Sequence, residues 1–229
     1  MSFAALPERL AQVRAEIARQ QAAGGWTHAV TIVAVTKGFG PDAVAAARDA
    51  GLADIGENRV QEALDKMDRV TAPGLRWHLI GHLQRNKAKL VPGRFELVHS
   101  VDSLELATEL NKRATSLRVL LQVNVAREPQ KSGCAPDEAP GLARQIAGLG
   151  QIRLEGLMTL APLTDDEDVQ RRTFRSLRAL RDTIKEEGVW LPTLSMGMSD
   201  DYATAVAEGA TVIRLGTALF GPRAKETTP

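Results

Sequence analysis

The chain has 229 residues, of which 44% are hydrophobic and 25% charged, so it is long enough for one sizeable core and fits a single α/β domain better than two. Its 29 basic and 28 acidic residues give a formal net charge of +1, which excludes the global field of a protein that binds nucleic acid or an anionic membrane. A single cysteine, Cys134, excludes an intramolecular disulfide, and no stretch approaches the roughly 20 apolar residues of a membrane span, so we expect a soluble, unexported protein.

An amphipathic helix is predicted at the N-terminus. Apolar residues recur there at intervals of three or four among Glu and Arg, which is the spacing of one helix face. These residues are Leu6, Leu10, Val13 and Ile17. The helix is expected to end near Gly24 and Gly25.

Eight short apolar runs follow, separated by stretches with helical patterning. They cover residues 30–36, 53–56, 76–81, 95–101, 118–125, 152–160, 193–197 and 211–216. Strands that alternate with helices indicate parallel pairing through crossover helices. The number and length of the units predict an α/β fold, a (β/α)₈ TIM barrel with an extra N-terminal helix. We expect one domain over residues 1–229, with a frayed tail at 225–229.

The helical stretches carry their own start and stop signals. Pro41 and Asp42 open the first crossover helix, which should stop before Gly51. Asp102 and Ser103 can cap the helix that follows the fourth strand. The segment 165–187 begins acidic and becomes strongly basic, and its arginines are expected to form a solvated face. A phosphate-rich partner on that face remains a second interpretation.

Lys37 is the first candidate for a chemical role. It closes the continuous apolar run 30–36, which is typical of a parallel strand buried on both faces. Ligands bind at the carboxyl ends of such strands, and a lysine held there among apolar neighbours can act as an amine nucleophile. A strand-end lysine that only reaches solvent is the alternative.

Asn58 follows the second strand, so its amide should face the same end of the barrel as Lys37. Its alternative role is to cap the next helix, and the two roles are compatible. After the third strand, His78 is expected to be a satisfied core histidine and His82 to lie closer to the barrel mouth. No residues have the spacing of a metal site or of a Ser/His/Asp triad.

The seventh and eighth strands are followed by turns of small residues, where barrels commonly bind phosphate. The segment 194–201 supplies Ser195, Met198 and Ser199, and the segment 211–221 supplies Arg214, Gly216 and Thr217. Backbone amides at the second turn can point at an anion as the next helix opens. As alternatives, Gly197 forms only a tight turn and Ser199 or Asp200 only a helix cap.

Together these candidates define a specific ligand. The Lys37 amine would react with an aldehyde, and the two turns would bind a phosphate. Arg214 and Asn58 would flank a ring that lies between the aldehyde and the phosphate. Pyridoxal 5′-phosphate (PLP) has these parts, and a lysine amine forms a Schiff base with its aldehyde.

Five segments resemble, in order, the signature blocks of the pyridoxal phosphate homeostasis protein family. They are residues 33–37, 56–62, 77–87, 195–200 and 214–221. The resemblance implies the fold-type III barrel of the alanine racemase N-terminal domain, in a mostly monomeric, cytoplasmic protein that carries PLP without established catalytic activity. Leu79 replaces an aromatic residue often found in the family, at a position expected to be core.

The resemblance also implies roles for individual residues. It places the internal aldimine on Lys37 and the pyridine nitrogen near Arg214. The phosphate would lie near Ser199, Gly216 and Thr217, with Asn58 close to the ring. PLP-dependent apo-enzymes are the implied recipients of the cofactor.

Two other functions remain open. A fold-type III racemase or decarboxylase would need a second acid/base, and the single tyrosine of the chain, Tyr202, belongs to the turn after strand seven, where it is expected near the phosphate. An enzyme acting on a phosphosugar or another phosphate metabolite would use the same turns without the lysine chemistry.

Overall fold

The computed structural model describes residues 3–70 and 73–222, and the predicted frayed tail at 225–229 lies outside them. Eight parallel strands form a closed barrel in chain order. They are β1 (Thr31–Val35), β2 (Asp54–Glu57), β3 (Arg76–Leu79), β4 (Leu97–Val101), β5 (Leu117–Gln122), β6 (Ile152–Met158), β7 (Thr193–Ser195) and β8 (Val212–Leu215). The predicted barrel is confirmed, and each of the eight apolar runs overlaps one strand.

Helices surround the barrel. They are α1 (Leu6–Gly24), α2 (Pro41–Asp49), α3 (Val60–Arg69), α4 (Leu104–Asn111), α5 (Ala139–Ala147), α6 (Glu167–Glu186), α7 (Tyr202–Ala207) and α8 (Thr217–Phe220), with a 3₁₀ helix at Arg85–Leu90. Proline opens α2 as predicted, and the Ser103 hydroxyl caps α4 by accepting a hydrogen bond from the Leu106 amide. Among the helices of the described residues, none is both long and apolar enough to span a membrane.

The barrel closes through β1 and β8, and this pairing fixes which side chains face inward. Val33 pairs with Arg214, and Val35 pairs with Gly56 on the other side. A Cβ atom at Gly56 would lie 2.8 Å from Val33 Cγ1 and 3.5 Å from Val35 Cγ2, so these valines point into the barrel. Because side chains alternate along a strand, Thr36 then points outward, toward the helices. Lys37 follows at the carboxyl end.

The N-terminal helix packs over the last two units of the barrel. Its four predicted apolar residues are buried, and it contacts α7 and α8. Just after the helix, the Trp26 indole donates a hydrogen bond of 2.8 Å to the carbonyl oxygen of Ala207, at the end of α7. This packing holds the helices that follow the strand-seven and strand-eight turns.

The prediction of a solvated arginine face on α6 holds for Arg175, whose side chain is 60% exposed, but Arg171 and Arg178 are partly buried, at 34% and 22% exposed. Arg171, Arg175 and Arg178 all donate to the carboxylate of Glu208, which follows α7 and is 5% exposed. Burial alone would raise the pKa of Glu208, but the three guanidinium groups outweigh it and lower the pKa. These charges therefore tie α6 to α7.

Candidate functional site

A cavity of about 330 Å³ opens at the carboxyl end of the strands. Its walls are lined by Val35, Lys37, Phe39, Asn58, Ile80, Gly81, Leu160, Met198, Ser199, Asp200, Arg214, Gly216 and Thr217. Seven of the eight predicted binding residues are in this set. The eighth, Ser195, is fully buried, does not line the cavity and contacts Arg214. The predicted convergence of strands one, two, seven and eight on one mouth is thus observed.

Lys37 is half-buried at this mouth, and the backbone on both sides of it is held by a group of buried charges. Before it, the Thr36 hydroxyl donates to Glu57 Oε1 at 2.5 Å and the Thr36 carbonyl accepts from Lys66 Nζ at 2.8 Å. After it, the Gly38 amide donates to Glu62 Oε1 at 2.9 Å. We call Glu57, Glu62 and Lys66 the charged clamp.

The charged clamp is itself closely paired. Lys66 Nζ lies 2.6 Å from Glu57 Oε1 and 2.9 Å from Glu62 Oε1, and the Lys66 and Glu57 side chains are 5% and 0% exposed. Burial raises the pKa of Glu57 against the opposing effect of Lys66 and Thr36, and the second oxygen, Oε2, is buried with no hydrogen-bond partner. A buried ion pair of this kind is costly to desolvate, and breaking it by removing one partner is strongly destabilising.

Arg214 lies at the inner end of the cavity and is 3% exposed. Its Nη1 donates to Ser195 Oγ at 2.6 Å and its Nη2 donates to the Thr159 carbonyl oxygen at 2.9 Å. Burial lowers the pKa of Arg214 to about 10, so the guanidinium still carries its charge at neutral pH. The cavity therefore has a fixed cation at its base.

The turns after β7 and β8 meet at Ser199. Its Oγ accepts hydrogen bonds of 3.1 Å from the backbone amides of both Gly216 and Ala218. Both N–H groups are thus bonded within the protein, and an anion would take them by replacing the Ser199 oxygen. The alternative of a cap at Ser199 or Asp200 is wrong, because the residue before α7 is Asp201 and the Ser199 hydroxyl bonds the opposite turn.

Glycines bring these turns close together. Gly197 has φ +95°, and a Cβ there would lie 2.6 Å from the Cβ of Ala205, so the tight turn predicted at Gly197 does require glycine. A Cβ at Gly216 would instead make ordinary contacts, the nearest 3.6 Å away at the Val35 carbonyl oxygen. The packing of the protein thus leaves room at Gly216 that a bound ligand would need.

Asn58 lines the wall between Lys37 and Gly81. It does not cap α3, because the residue before that helix is Arg59 and no side-chain cap is present. A Cβ at Gly81 would lie 2.4 Å from the Asn58 carbonyl oxygen, so glycine is needed there for the β2 and β3 turns to touch. The capping role of Asn58 is therefore wrong, and its role in ligand binding remains a prediction.

Other predicted residues lie elsewhere. Tyr202 does not line the cavity, and burial together with the nearby Glu16 of α1 raises the pKa of its phenol, so the prediction that it lies by the phosphate is wrong. His78 is a satisfied core histidine as predicted. Burial raises the pKa of Cys134 to about 12, which leaves it an unreactive thiol.

The sequence analysis did not predict the charged clamp. An acidic residue at the end of an apolar strand, as Glu57 is, was a signal for it.

The fold and the site define a class of protein, a closed parallel barrel that carries a lysine, an arginine and the Ser199 turn around one mouth. The model of the alanine racemase N-terminal domain matches residues 9–224. An alanine racemase from Clostridium difficile has the same fold, with a TM-score of 0.73 at 14% identity over 92% of this chain and 60% of its own.

Much closer relatives are named pyridoxal phosphate homeostasis protein. The one from Pseudomonas aeruginosa is 44% identical over 95% of this chain and 96% of its own, and the one from Aquifex aeolicus is 40% identical over 94% and 97%. The structure of PipY from Synechococcus elongatus with PLP bound is 38% identical, with a TM-score of 0.84 over 94% of this chain and all of its own. The chain belongs to the pyridoxal phosphate homeostasis protein family.

Proposed function

We propose that this protein binds PLP and carries it as an internal aldimine on Lys37, storing and delivering the cofactor in the cytoplasm as a monomer without turnover of its own. The observation that supports this most is the cavity that gathers Lys37, Arg214 and the Ser199 turn around one space of about 330 Å³. The PLP-bound PipY structure, from a relative whose whole chain matches 94% of this one, supports the choice of cofactor.

The residues present fit the parts of PLP. A phosphate oxygen would replace Ser199 Oγ as the acceptor of the Gly216 and Ala218 amides, and the Ser199 hydroxyl would then donate to the phosphate, with Thr217 beside them. Arg214 is a fixed donor for the ring nitrogen, and Met198 and Asn58 line the space between these ends. When bound, PLP supplies an aldehyde that forms a Schiff base with an amine. Ser195 contributes through its hydrogen bond with Arg214.

Two features favour a carrier over a catalyst. A charged guanidinium opposite the ring nitrogen disfavours its protonation and so weakens the ring as an electron sink. Racemisation also needs an acid/base on the second face, and the residues that line the cavity include no tyrosine, histidine or cysteine and a single carboxylate, Asp200. These features favour delivery to PLP-dependent apo-enzymes over racemisation or decarboxylation.

The carrier function is tested by incubating PLP-loaded protein with each common amino acid and measuring chirality and keto-acid release. We expect no sustained release, because Arg214 weakens the ring as an electron sink and no tyrosine or histidine lines the cavity. A known alanine racemase loaded to the same PLP content serves as the positive control. Turnover approaching the enzymatic median of about 10 per second would establish the racemase or decarboxylase alternative.

Replacing Gly216 with Ala tests the phosphate turn. The added methyl group would meet only ordinary contacts in the protein but would enter the space assigned to the phosphate. We expect thermal stability within a few degrees of the original and a PLP dissociation constant raised by about tenfold or more, equivalent to one lost charged hydrogen bond. The matched control is Gly141→Ala, in α5, where a Cβ meets no atom. Equal PLP affinity in the two variants would contradict the assignment.

A further inference from the structure

A line of buried polar side chains leads away from Arg214 through the barrel interior. Arg214 Nη1 lies 2.6 Å from Ser195 Oγ, which lies 2.8 Å from His99 Nδ1. His99 Nε2 then lies 2.9 Å from His78 Nδ1. His78 Nε2 lies 3.0 Å from Asp54 Oδ1, near the opposite end of the barrel. We call these five residues the polar chain.

The polar chain has only one direction when both histidines are neutral. The Asp54 carboxylate can only accept, which fixes the direction from that end, so Ser195, which accepts from Arg214, donates its own proton to His99 Nδ1. An unprotonated Nδ1 leaves the proton of neutral His99 on Nε2, which donates to His78 Nδ1. His78 likewise carries its proton on Nε2 and donates to Asp54.

Both ends of the polar chain are anchored. At the far end, Arg76 Nε and Nη2 donate to the two Asp54 oxygens at 2.7 and 2.5 Å. Burial alone would raise the pKa of Asp54, but hydrogen bonds from His78 and Arg76 lower it to about 2, so it is a carboxylate at neutral pH. In the middle, complete burial and the neighbouring charges lower the pKa of His99 well below its usual value, which keeps the ring neutral.

We infer that Ser195 and His99 are positioning residues that hold the Arg214 guanidinium in one orientation at the base of the cavity, with the proton of each histidine fixed on Nε2. The inference rests on the proposed function for its effect on PLP binding, because there the ligand of Arg214 is the ring nitrogen of PLP. It goes beyond that function in naming residues that do not touch the cofactor and in fixing their tautomers.

As a consequence, the Arg214 guanidinium is held against rotation by its hydrogen bonds to Ser195 and Thr159. Nη1 is occupied by Ser195 and Nη2 by the Thr159 carbonyl, so rotation of the guanidinium would break two buried charged hydrogen bonds. The guanidinium is thereby held in place where it lines the cavity. A preorganised donor loses less freedom when the ring nitrogen arrives, and so binds it more tightly.

The tautomers are measured by nitrogen NMR on the full chain labelled with ¹⁵N-histidine, without PLP. The sequence has four histidines, and His28→Gln and His82→Gln, both outside the polar chain, identify their two signals. We expect His78 and His99 each to show a protonated Nε2 and an unprotonated Nδ1 at neutral pH. A proton on Nδ1 of either histidine would reverse the direction of the polar chain and overturn the inference.

The positioning role is measured with Ser195→Ala, which removes the hydroxyl that links Arg214 to His99. We expect about a tenfold or larger increase in the PLP dissociation constant and a shifted absorbance maximum of the bound cofactor. The control is Thr204→Ala, which removes another buried hydroxyl, one bonded to Gln170 at 3.2 Å and outside the cavity, and which should leave both readouts unchanged.

The outcomes separate this inference from the proposed function. If unaltered protein takes up PLP but Ser195→Ala binds it with the affinity and spectrum of Thr204→Ala, the positioning role is overturned and the carrier function stands. If the unaltered protein takes up no PLP, the proposed function fails. The histidine tautomers are read without cofactor and decide the direction of the polar chain in either case.

Discussion

Replacing Lys37 with Ala is expected to abolish the visible absorbance band that PLP acquires on covalent attachment. The alanine side chain has no amine, so the Schiff base cannot form at the mouth of the barrel. Absorbance of the purified variant after incubation with PLP, with and without borohydride, gives the measurement. We expect no reducible adduct, together with weaker, reversible binding through Arg214 and the Ser199 turn.

The matched control for this variant is Lys87→Ala. Lys87 lies in the 3₁₀ helix after β3 and does not line the cavity, so its removal should leave the band intact. If Lys37→Ala still formed a reducible adduct, another lysine would be the attachment site. Lys131, whose Nζ donates to the Ala161 carbonyl oxygen at 2.7 Å, would then be examined next to Lys87.

Replacing Lys66 with Met is expected to destabilise the protein and to slow PLP attachment. The change leaves the Glu57 carboxylate, which is fully buried, without its cation, at a cost of about 3–5 kcal/mol in the free energy of unfolding. It also releases the Thr36 carbonyl, so the backbone before Lys37 is no longer fixed. Urea unfolding measures the first effect, and the rate at which the absorbance band appears measures the second.

Two further variants separate these effects. Lys112→Met removes a lysine that is 62% exposed and paired with Glu109 on α4, so it should cost less than about 1 kcal/mol. The double variant Glu57→Gln with Lys66→Met removes the buried charge along with its partner. It should regain much of the lost stability but not the rate of attachment. Attachment at the original rate in the double variant would show that the charged clamp stabilises the fold without positioning Lys37.

The sequence predicts the barrel and the position of most of the site for one physical reason. Parallel strands buried on both faces are continuous apolar runs, and their carboxyl ends all meet at one mouth. Lys37, Asn58 and Gly216 each lie at the end of such a run. The order of the strands was therefore enough to predict that these residues converge. Knowledge of the strand register was not required.

What the sequence could not predict depends on pairing between elements. Lys66 lies in a polar stretch of α3 and looks like an ordinary surface lysine until the helix is packed on β2, where it meets Glu57. His99 and Ser195 are 96 residues apart and meet only inside the closed barrel. The sequence of α6 predicts a solvated arginine face because Glu208, the common partner of three arginines, belongs to a different helical unit.

The central claim is that the amine of Lys37 attaches PLP covalently at the mouth of this barrel. Borohydride reduction of the PLP-loaded protein, followed by proteolysis and mass mapping, tests it most directly. We predict a single modified peptide that contains Lys37, carrying the added mass of the reduced cofactor. A modified peptide that lacks Lys37, or a protein that binds PLP and yields no modified peptide, would contradict the claim.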